Sequence, residues 1–170
     1  MQKLKKILDG SITFFTCSLM LIMVLLVIWQ VFSRYILNSP STFSEELLRY
    51  LLIWVSMLGT AYVFGRKGHL AIGFFVKRLP NKAHYAVNVF IELVLILFAA
   101  IVMVLGGTKV VMMTLGQISP VLGISMGYVY LSLPLSGALT IVYSIISLYE
   151  FINKQKSKDI QKDKINNLNI

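Results

Sequence analysis

The amino-acid sequence predicts an all-α integral membrane protein with four transmembrane helices and both termini in the cytoplasm. Of the 170 residues, 57% are hydrophobic and only 14% are charged, which is more apolar surface than a soluble domain of this length can bury. The apolar residues are collected in four runs, each as long as the roughly 20 helical residues that a hydrocarbon core requires. Most of the basic residues lie outside these runs, in segments that four crossings would place on one side of the membrane.

The four apolar runs are the predicted spans, and they cover roughly residues 11–37, 44–65, 84–112 and 123–151. None of them alternates apolar and polar residues over about ten positions, which is the pattern of a transmembrane strand. The first run follows Lys3, Lys5 and Lys6, but it is much longer than the apolar part of a signal peptide. We therefore expect it to remain in the protein as span one.

Two further segments lie outside the predicted spans. Residues 66–80 are apolar in the middle, basic at both ends and too short to cross the bilayer, so we predict a segment that lies in the membrane interface. Residues 153–170 are rich in Lys, Asn, Gln and Asp, and we predict a polar cytoplasmic tail. Residues 1–152 then form a single four-span membrane domain.

The basic residues predict the orientation of the chain. Thirteen of the sixteen Lys and Arg residues precede span one, separate span two from span three, or follow span four. An even number of spans puts these segments on the same side, and the positive-inside rule places that side in the cytoplasm. Basic segments beside a membrane also attract anionic head groups, so we expect the net charge of +9 to meet phospholipid and not nucleic acid.

Polar side chains gather at the opposite, predicted outer ends of spans one and two. Gln30, Arg34 and Tyr35 lie near the end of span one, where an aromatic ring suits the interface and Arg34 can extend toward head groups. The short turn NSPST then leads into span two. Thr42, with Glu45 three residues later, fits a capping box that would begin the second helix.

Two glutamates and an arginine follow within the first turns of span two, where charge is energetically expensive. Glu45 and Arg49 are spaced i,i+4, and Glu46 and Arg49 are spaced i,i+3, so the cluster can pair within its own helix. Intramembrane charge also tends to face other protein, which makes contact with a partner the second interpretation. The spacing alone leaves both open.

Two residues stand out in spans three and four. Glu92 lies about one third of the way into span three. It is either a carboxylate near the inner interface, an ion-pair partner for another subunit, or a carrier site for a proton or sodium ion. Pro134 lies inside span four and predicts a bend there, because proline removes a helical hydrogen bond.

Motifs for catalysis are weak in this sequence. GISMG, residues 123–127, fits G-x-S-x-G, the pattern around some nucleophilic serines. Ser125 would need a base, but His69 and His84 lie on the predicted inner side, about a bilayer away. The two histidines are not spaced as metal ligands, and there is no glycine-rich phosphate loop. We expect neither catalysis, nor a metal, nor a cofactor, and an intramembrane serine hydrolase is an unfavoured alternative.

Residues 30–72 resemble the small membrane subunit of tripartite ATP-independent periplasmic (TRAP) transporters of the DctQ/SiaQ type. In that family a span ends in Q-x-x-x-R-Y, a short turn leads to S-E-E-x-x-R, and a span with a central Gly precedes a basic loop that ends in G-H. The matching positions are Gln30, Arg34, Tyr35, Ser44, Glu45, Glu46, Arg49, Gly59, Gly68 and His69. Residues 122–137 are similar to the family's entry into span four, with Pro134 in place. Gly73 departs from the family, where many relatives carry an acidic residue.

The resemblance implies a role in transport and covers roughly residues 10–150. It implies a stable complex with a large membrane subunit that binds sodium and substrate, in a bacterial inner membrane. A periplasmic binding protein would deliver an organic acid, such as a C4-dicarboxylate or sialic acid, and would touch the 38–43 turn and the 114–126 loop. The small subunit would be a fixed scaffold. The candidate structural or partner-contact residues are Gln30, Arg34, Tyr35, Glu45, Glu46, Arg49, Gly59, His69, Glu92 and Pro134.

A self-contained small transporter or channel, active as a homo-oligomer, is the main alternative. It would move a solute without any other subunit, and Glu92 would then be essential. The scaffold interpretation instead requires a large partner, and it gives Glu45 and Arg49 a part in assembly.

Overall fold

A computed structural model describes the backbone of residues 2–65 and 81–168, and side chains within 5–65, 86–149 and 151–153. The predicted interfacial segment 66–80, with His69, lies outside the described residues. The helices are α1 (Gln2–Tyr35), α2 (Thr42–Gly65), α3 (Asn81–Phe98), a π-helical segment (Ala99–Gly106), α4 (Gly107–Thr114), α5 (Met126–Tyr130) and α6 (Ser132–Leu168). The described part of the chain forms no β-strand, only an isolated bridge in one loop.

Four helical stretches are long and apolar enough to cross a membrane, which confirms the all-α, four-span prediction. They are Lys5–Tyr35, Thr42–Gly65, Ala86–Thr114 and Met126–Asn153, and are called spans one to four below. Span one begins earlier than the sequence pattern suggests, because the basic residues after Gln2 are already helical. Span four begins later, at Met126, because residues 123–125 belong to the preceding loop. The backbone of α6 stays helical beyond the span, through Leu168.

The spans pack in a row in the order one, two, four, three. Span one packs mainly on span two, span two on span four, and span four on span three, including its π-helical segment. Spans one and three, at the edges of the row, do not form a packed pair among the described residues. Span four is therefore central, and it buries a far larger part of its surface than the others. Its neighbours leave much of their apolar surface open to lipid or to another protein.

Span four has a face of small residues that explains this central position. The buried members of the face are Ser132, Ser136, Gly137, Thr140, Ser144 and Ser147. Hydroxyls on this face donate to carbonyls of their own helix, as Thr140 does to Ser136 at 2.8 Å. Small surfaces with satisfied hydroxyls let membrane helices approach closely. A Cβ added at Gly137 would lie 2.7 Å from Cβ of Met103 in the π-helical segment, so the two spans are nearly in backbone contact there.

The helix of span four is interrupted near its beginning. Helix α5 ends at Tyr130 and α6 begins at Ser132, so the interruption lies just before Pro134. Proline has no N–H for the carbonyl four residues earlier, and its ring crowds that carbonyl. Pro134 thus occupies the first turn of α6, where no such hydrogen bond is needed. The same turn packs on Gly107 of span three, whose added Cβ would lie 3.0 Å from Cδ of Pro134.

Candidate functional site

Among the described residues, the side-chain hydrogen bonds that join different helices or loops collect at two ends of the molecule. The loop end carries the 36–41 turn and the 115–125 loop, which connect spans one to two and three to four. The terminus end carries Asp9 of α1, Gly65 at the end of α2, and the facing parts of spans three and four. Most of the residues that the sequence singled out lie at the loop end.

The 36–41 turn is closed by serines. Ser41 caps α2: its hydroxyl accepts from the backbone N–H of Ser44 at 3.4 Å and lies 2.8 Å from the Ser44 hydroxyl. The predicted capping box of Thr42 and Glu45 is therefore displaced by one residue, because α2 begins at Thr42 itself. Ser33 donates to the carbonyl of Ser39, which ties the turn back to α1.

Glu46 is the central residue of the loop end. Its side chain is buried, with 6% of its surface exposed. One carboxylate oxygen accepts from the hydroxyl of Tyr50, one turn later on α2. The other accepts from two consecutive backbone N–H groups, of Val121 at 2.9 Å and Leu122 at 3.1 Å. One side chain on span two thus holds the loop that connects spans three and four, and we call this contact the Glu46 latch.

The loop held by the Glu46 latch is compact. Ile118 and Ser125 form an antiparallel bridge, and the N–H of Ser119 donates to the carbonyl of Ile124 at 2.9 Å. Gly123 closes the turn with a φ of +67°, a conformation that residues with a side chain rarely adopt. Within this loop no backbone carbonyl is recorded as the acceptor for the N–H groups of Val121 and Leu122, and the Glu46 carboxylate accepts from both.

Ser125 has a structural role at the same end. Its hydroxyl donates to the carbonyl of Leu115 at 2.7 Å and accepts from the N–H of Gly127, which caps α5. Both contacts serve the loop and the helix start. A nucleophilic serine would instead need its hydroxyl directed at a base. The G-x-S-x-G pattern therefore marks a capped helix start here.

The charged pair on span two is separate from the Glu46 latch. Arg49 contacts Glu45 at 3.4 Å, with 68% and 61% of the two side chains exposed. It is the one ion pair recorded among the described side chains. Of the two pairings that the sequence allows, the structure forms the i,i+4 pair, because Glu46 points inward. An exposed pair of this kind adds little to the stability of the folded chain.

Span one contributes exposed groups to the loop end. The guanidinium of Arg34 lies over the ring of Tyr35, 5.9 Å from its centroid. Arg34 therefore contacts the aromatic ring beside it, and the acidic residues of span two have other partners. Gln30 is half-buried one turn earlier. The position of the pair beside a transmembrane span suits an interface with lipid head groups or with another protein.

At the terminus end, the hydroxyl of Tyr143 donates to a carboxylate oxygen of Asp9 at 2.7 Å, which ties span four to the start of span one. The Tyr143 ring is buried against Gly65, where an added Cβ would lie 2.4 Å from the ring. Ser147, one turn further on, donates to Glu92 at 2.8 Å. Glu92 of span three is thus hydrogen-bonded to span four of its own chain.

Sequence reasoning missed several of these residues. Asp9, Gly65, Tyr143 and Ser147 were not among the candidates, and neither were the backbone donors at the Glu46 latch. The hydroxyl residues at 132, 136, 140 and 144, each four residues after the last, were a signal for a buried helix face. Gly59, which was a candidate, has open space beside it: an added Cβ would have no atom within 4 Å outside the backbone of its own helix. Among the described residues, no group of three or more His, Cys, Asp or Glu side chains could hold a metal ion.

Together, the fold and these contacts define a multi-pass α-helical membrane protein whose buried polar groups join its spans and loops. Comparison with known families goes further. The family model for the DctQ component of tripartite ATP-independent periplasmic transporters matches residues 23–154. The chain belongs to this family.

Two relatives illustrate the match. The sialic acid TRAP transporter small permease protein SiaQ of Vibrio cholerae is 28% identical over 152 residues, which is 89% of this chain and 87% of the relative. The sialic acid TRAP transporter permease protein SiaT of Haemophilus influenzae is 28% identical over 130 residues, 76% of this chain but only 20% of that protein. The resemblance that the sequence motifs suggested is confirmed. The expectation that the chain is not an enzyme is also confirmed, because the family consists of transporter permease components.

Proposed function

We propose that this protein is the small permease subunit of a sodium-driven TRAP uptake system for organic acids, and that it is a fixed scaffold for a large transport subunit. The observation that carries the proposal is the family match over residues 23–154. The names of the relatives make sialic acid the first substrate to test and a C4-dicarboxylate the second. Sodium and substrate would bind to the large subunit.

The comparison with SiaT supports a large partner. This chain covers a fifth of that permease, so a similar segment occurs there within a much longer membrane protein. The row of spans gives a physical basis for such a partner, because span four is the best enclosed of the described spans and the other three leave most of their apolar surface exposed. A second membrane protein that packs along the row would cover this surface and hold the spans in place.

Span two offers the most suitable contact face. Gly59 has open space beside it, and the neighbouring Ser56 and Thr60 are exposed. Membrane helices associate where small residues allow the backbones to approach, since lipid provides no hydrophobic drive between them. The exposed pair of Glu45 and Arg49 lies on the same helix, nearer the loop end. We propose that a helix of the large subunit packs near Gly59 and contacts this pair.

The orientation of the chain in the membrane determines where the remaining proposed partners would contact it. By the positive-inside rule, the distribution of basic residues supports an orientation with both termini in the cytoplasm of a bacterium and the loop end at the periplasmic face of the inner membrane. A periplasmic binding protein would then meet the 38–43 turn and the 114–126 loop transiently. The Glu46 latch supports this idea, because a loop held in one shape loses less entropy when it binds. Phospholipid would contact the basic segments on the cytoplasmic side.

Co-purification tests the scaffold. The tagged chain is expressed beside the proteins encoded next to it and extracted in mild detergent. A one-to-one complex with a much larger multi-span protein is expected. Gly59→Leu should abolish that complex while the chain itself stays folded, because the leucine enters open space. Gly10→Leu is the matched control, since a Cβ added at Gly10 would also have no atom within 4 Å. This variant should leave the complex intact.

The same preparation separates the proposal from its main alternative. If the chain alone is reconstituted in liposomes, no uptake is expected with or without a sodium gradient. Uptake by the chain alone, lost in Glu92→Gln, would overturn the scaffold and establish a self-contained transporter. Uptake that requires the large protein and the binding protein together would support the proposal.

A further inference from the structure

An apolar groove runs between spans one and two. It has a volume of about 340 Å³ and is lined by Met20, Met23, Val24, Val27, Ile28, Leu52 and Val55. All seven side chains are apolar, and all belong to helices that cross the membrane. The groove is therefore open to the hydrocarbon region, where water cannot fill it. Something apolar must occupy it when the protein is in a bilayer.

The walls of the groove do not suit a docked helix. Close packing of membrane helices requires small residues, but the α1 wall has two methionines, two valines and an isoleucine. Methionine is unbranched and adapts to irregular shapes, so Met20 and Met23 suit an occupant without a fixed surface. This wall differs from the face around Gly59, where the small residues of span two leave the backbone accessible.

The direction of the groove matches that of a lipid chain. It extends along α1 from Met20 to Ile28, which is roughly 12 Å at 1.5 Å per residue. Helices that cross a bilayer run at a small angle to its normal, as acyl chains do. The groove lies nearer the loop end of span one, because residues 20–28 belong to the second half of Lys5–Tyr35, while Leu52 and Val55 are near the middle of α2. An occupying chain would therefore belong to the leaflet at the loop end.

Arg34 lies at the loop end of this groove. It follows Val27 by seven residues, or two helical turns, so it lies on the same face of α1 about 10 Å further out. Its side chain is exposed. Arg34 contacts the Tyr35 ring and forms no ion pair among the described side chains, so its N–H donors can bind an anion.

We propose that this groove is a specific phospholipid site, in which one acyl chain packs between spans one and two and Arg34 binds the phosphate. Arginine is suited to phosphate because its planar donors can engage two oxygens at once. The site depends on spans one and two alone. It does not rest on the proposed partner or substrate, and it can fail or hold independently of the scaffold.

Photo-crosslinking tests the acyl chain. The complex, as it co-purifies, is placed in lipid nanodiscs that contain phosphatidylglycerol with a photoreactive group in one acyl chain, and labelled residues are mapped by mass spectrometry. Label should concentrate on residues 20–28 and 52–55. Val102 and Leu105 of span three are the reference, because they are apolar, well exposed and nearer the loop end, and they do not line this groove. Equal labelling of both regions would mean ordinary surrounding lipid and would overturn the site.

A second comparison tests the occupant. The chain alone is labelled in the same nanodiscs. Groove labelling in both preparations supports the lipid site. Labelling in the chain alone, with protection in the complex, would show that a helix of the partner fills the groove and would overturn the proposal. That result would not contradict the proposed scaffold function, so the experiment distinguishes the failure of one proposal from the failure of the other.

Arg34→Gln tests the head-group contact. It should reduce groove labelling by about tenfold, as expected when a charge-assisted contact with phosphate is lost. Lys109→Gln is the matched control, because Lys109 is an exposed cation on span three, away from the groove, and its loss should leave labelling unchanged. Val24→Phe, which fills the groove from an exposed position, should also reduce labelling without unfolding the chain. Unchanged labelling in both Arg34→Gln and Val24→Phe would contradict the site.

Discussion

The two ends of this molecule are held together in different ways. At the loop end, one buried carboxylate accepts from two backbone N–H groups of a loop that lies 75 and 76 residues away in the chain. At the terminus end, side chains contact side chains, as Tyr143 does with Asp9, and a tyrosine ring packs closely on Gly65.

The difference follows from what each end must satisfy. The 115–125 loop is irregular, and its backbone donors have no helical partners near the membrane surface, where an unpaired group is costly. Glu46 accepts hydrogen bonds from two of these donors. The terminus end joins regular helices whose backbone is already satisfied, so it requires close packing and a few hydroxyl contacts. The structure of the loop end is therefore determined by hydrogen bonds to backbone N–H groups, and that of the terminus end by the packing of helices.

Gly65→Ala should have the largest effect, at the terminus end. An added Cβ would lie 2.4 Å from the Tyr143 ring, so span two or span four must move. We expect a loss of about 3 kcal/mol in the free energy of unfolding, at the upper end of the cost of overpacking. Gly59→Ala is the control in open space and should be neutral or slightly stabilising. Equal thermal stability of both variants in detergent would contradict the close contact.

Ser125→Ala should have the second largest effect on the free energy of unfolding, and this effect should arise at the loop end. It removes the cap of α5 and the hydrogen bond to Leu115. The expected loss is about 1.5 kcal/mol, from typical costs of a cap and a hydrogen bond. Faster hydrogen exchange should be confined to residues near 115–127. Exchange that rises equally at the terminus end would show that the two ends are not independent.

Tyr143→Phe should cost less, because it keeps the ring that packs on Gly65 and removes only the hydroxyl. The expected loss is about 1 kcal/mol, the usual value for one part-buried hydrogen bond. Asp9→Asn, which keeps an acceptor, should cost less than Tyr143→Phe. A loss as large as that of Gly65→Ala would mean that the hydroxyl, and not the packing, dominates the terminus end.

Arg49→Ala should have the smallest effect on the folded chain, below about 0.5 kcal/mol, because its pair with Glu45 is exposed. Under the proposed function its effect on assembly is larger, since the pair would then be covered by the large subunit. The same variant is therefore compared by thermal unfolding of the chain alone and by recovery of the complex. Lower thermal stability of the chain alone, with unchanged recovery of the complex, would contradict a role for Arg49 in contacting the large subunit.

The sequence predicted the four spans because hydropathy and length determine them almost alone. It did not predict their order in the row, since periodic apolar runs do not identify neighbours; only the spacing of Ser and Thr in span four pointed to its central place. It selected Glu46 but not its function, because the partners are main-chain groups, which no residue type marks. Asp9 and Tyr143 were missed because they are 134 residues apart and each alone looks ordinary.

Hydrogen exchange at the Val121 and Leu122 amides is the sharpest test of the Glu46 latch. Both amides are measured in the wild-type chain, in Glu46→Ala and in Glu45→Ala, which removes the adjacent exposed carboxylate as a control. Exchange at both amides should accelerate about tenfold or more in Glu46→Ala and remain unchanged in Glu45→Ala, because both amides donate to Glu46 and not to Glu45. Unchanged exchange in Glu46→Ala would show that the loop holds its shape without the latch.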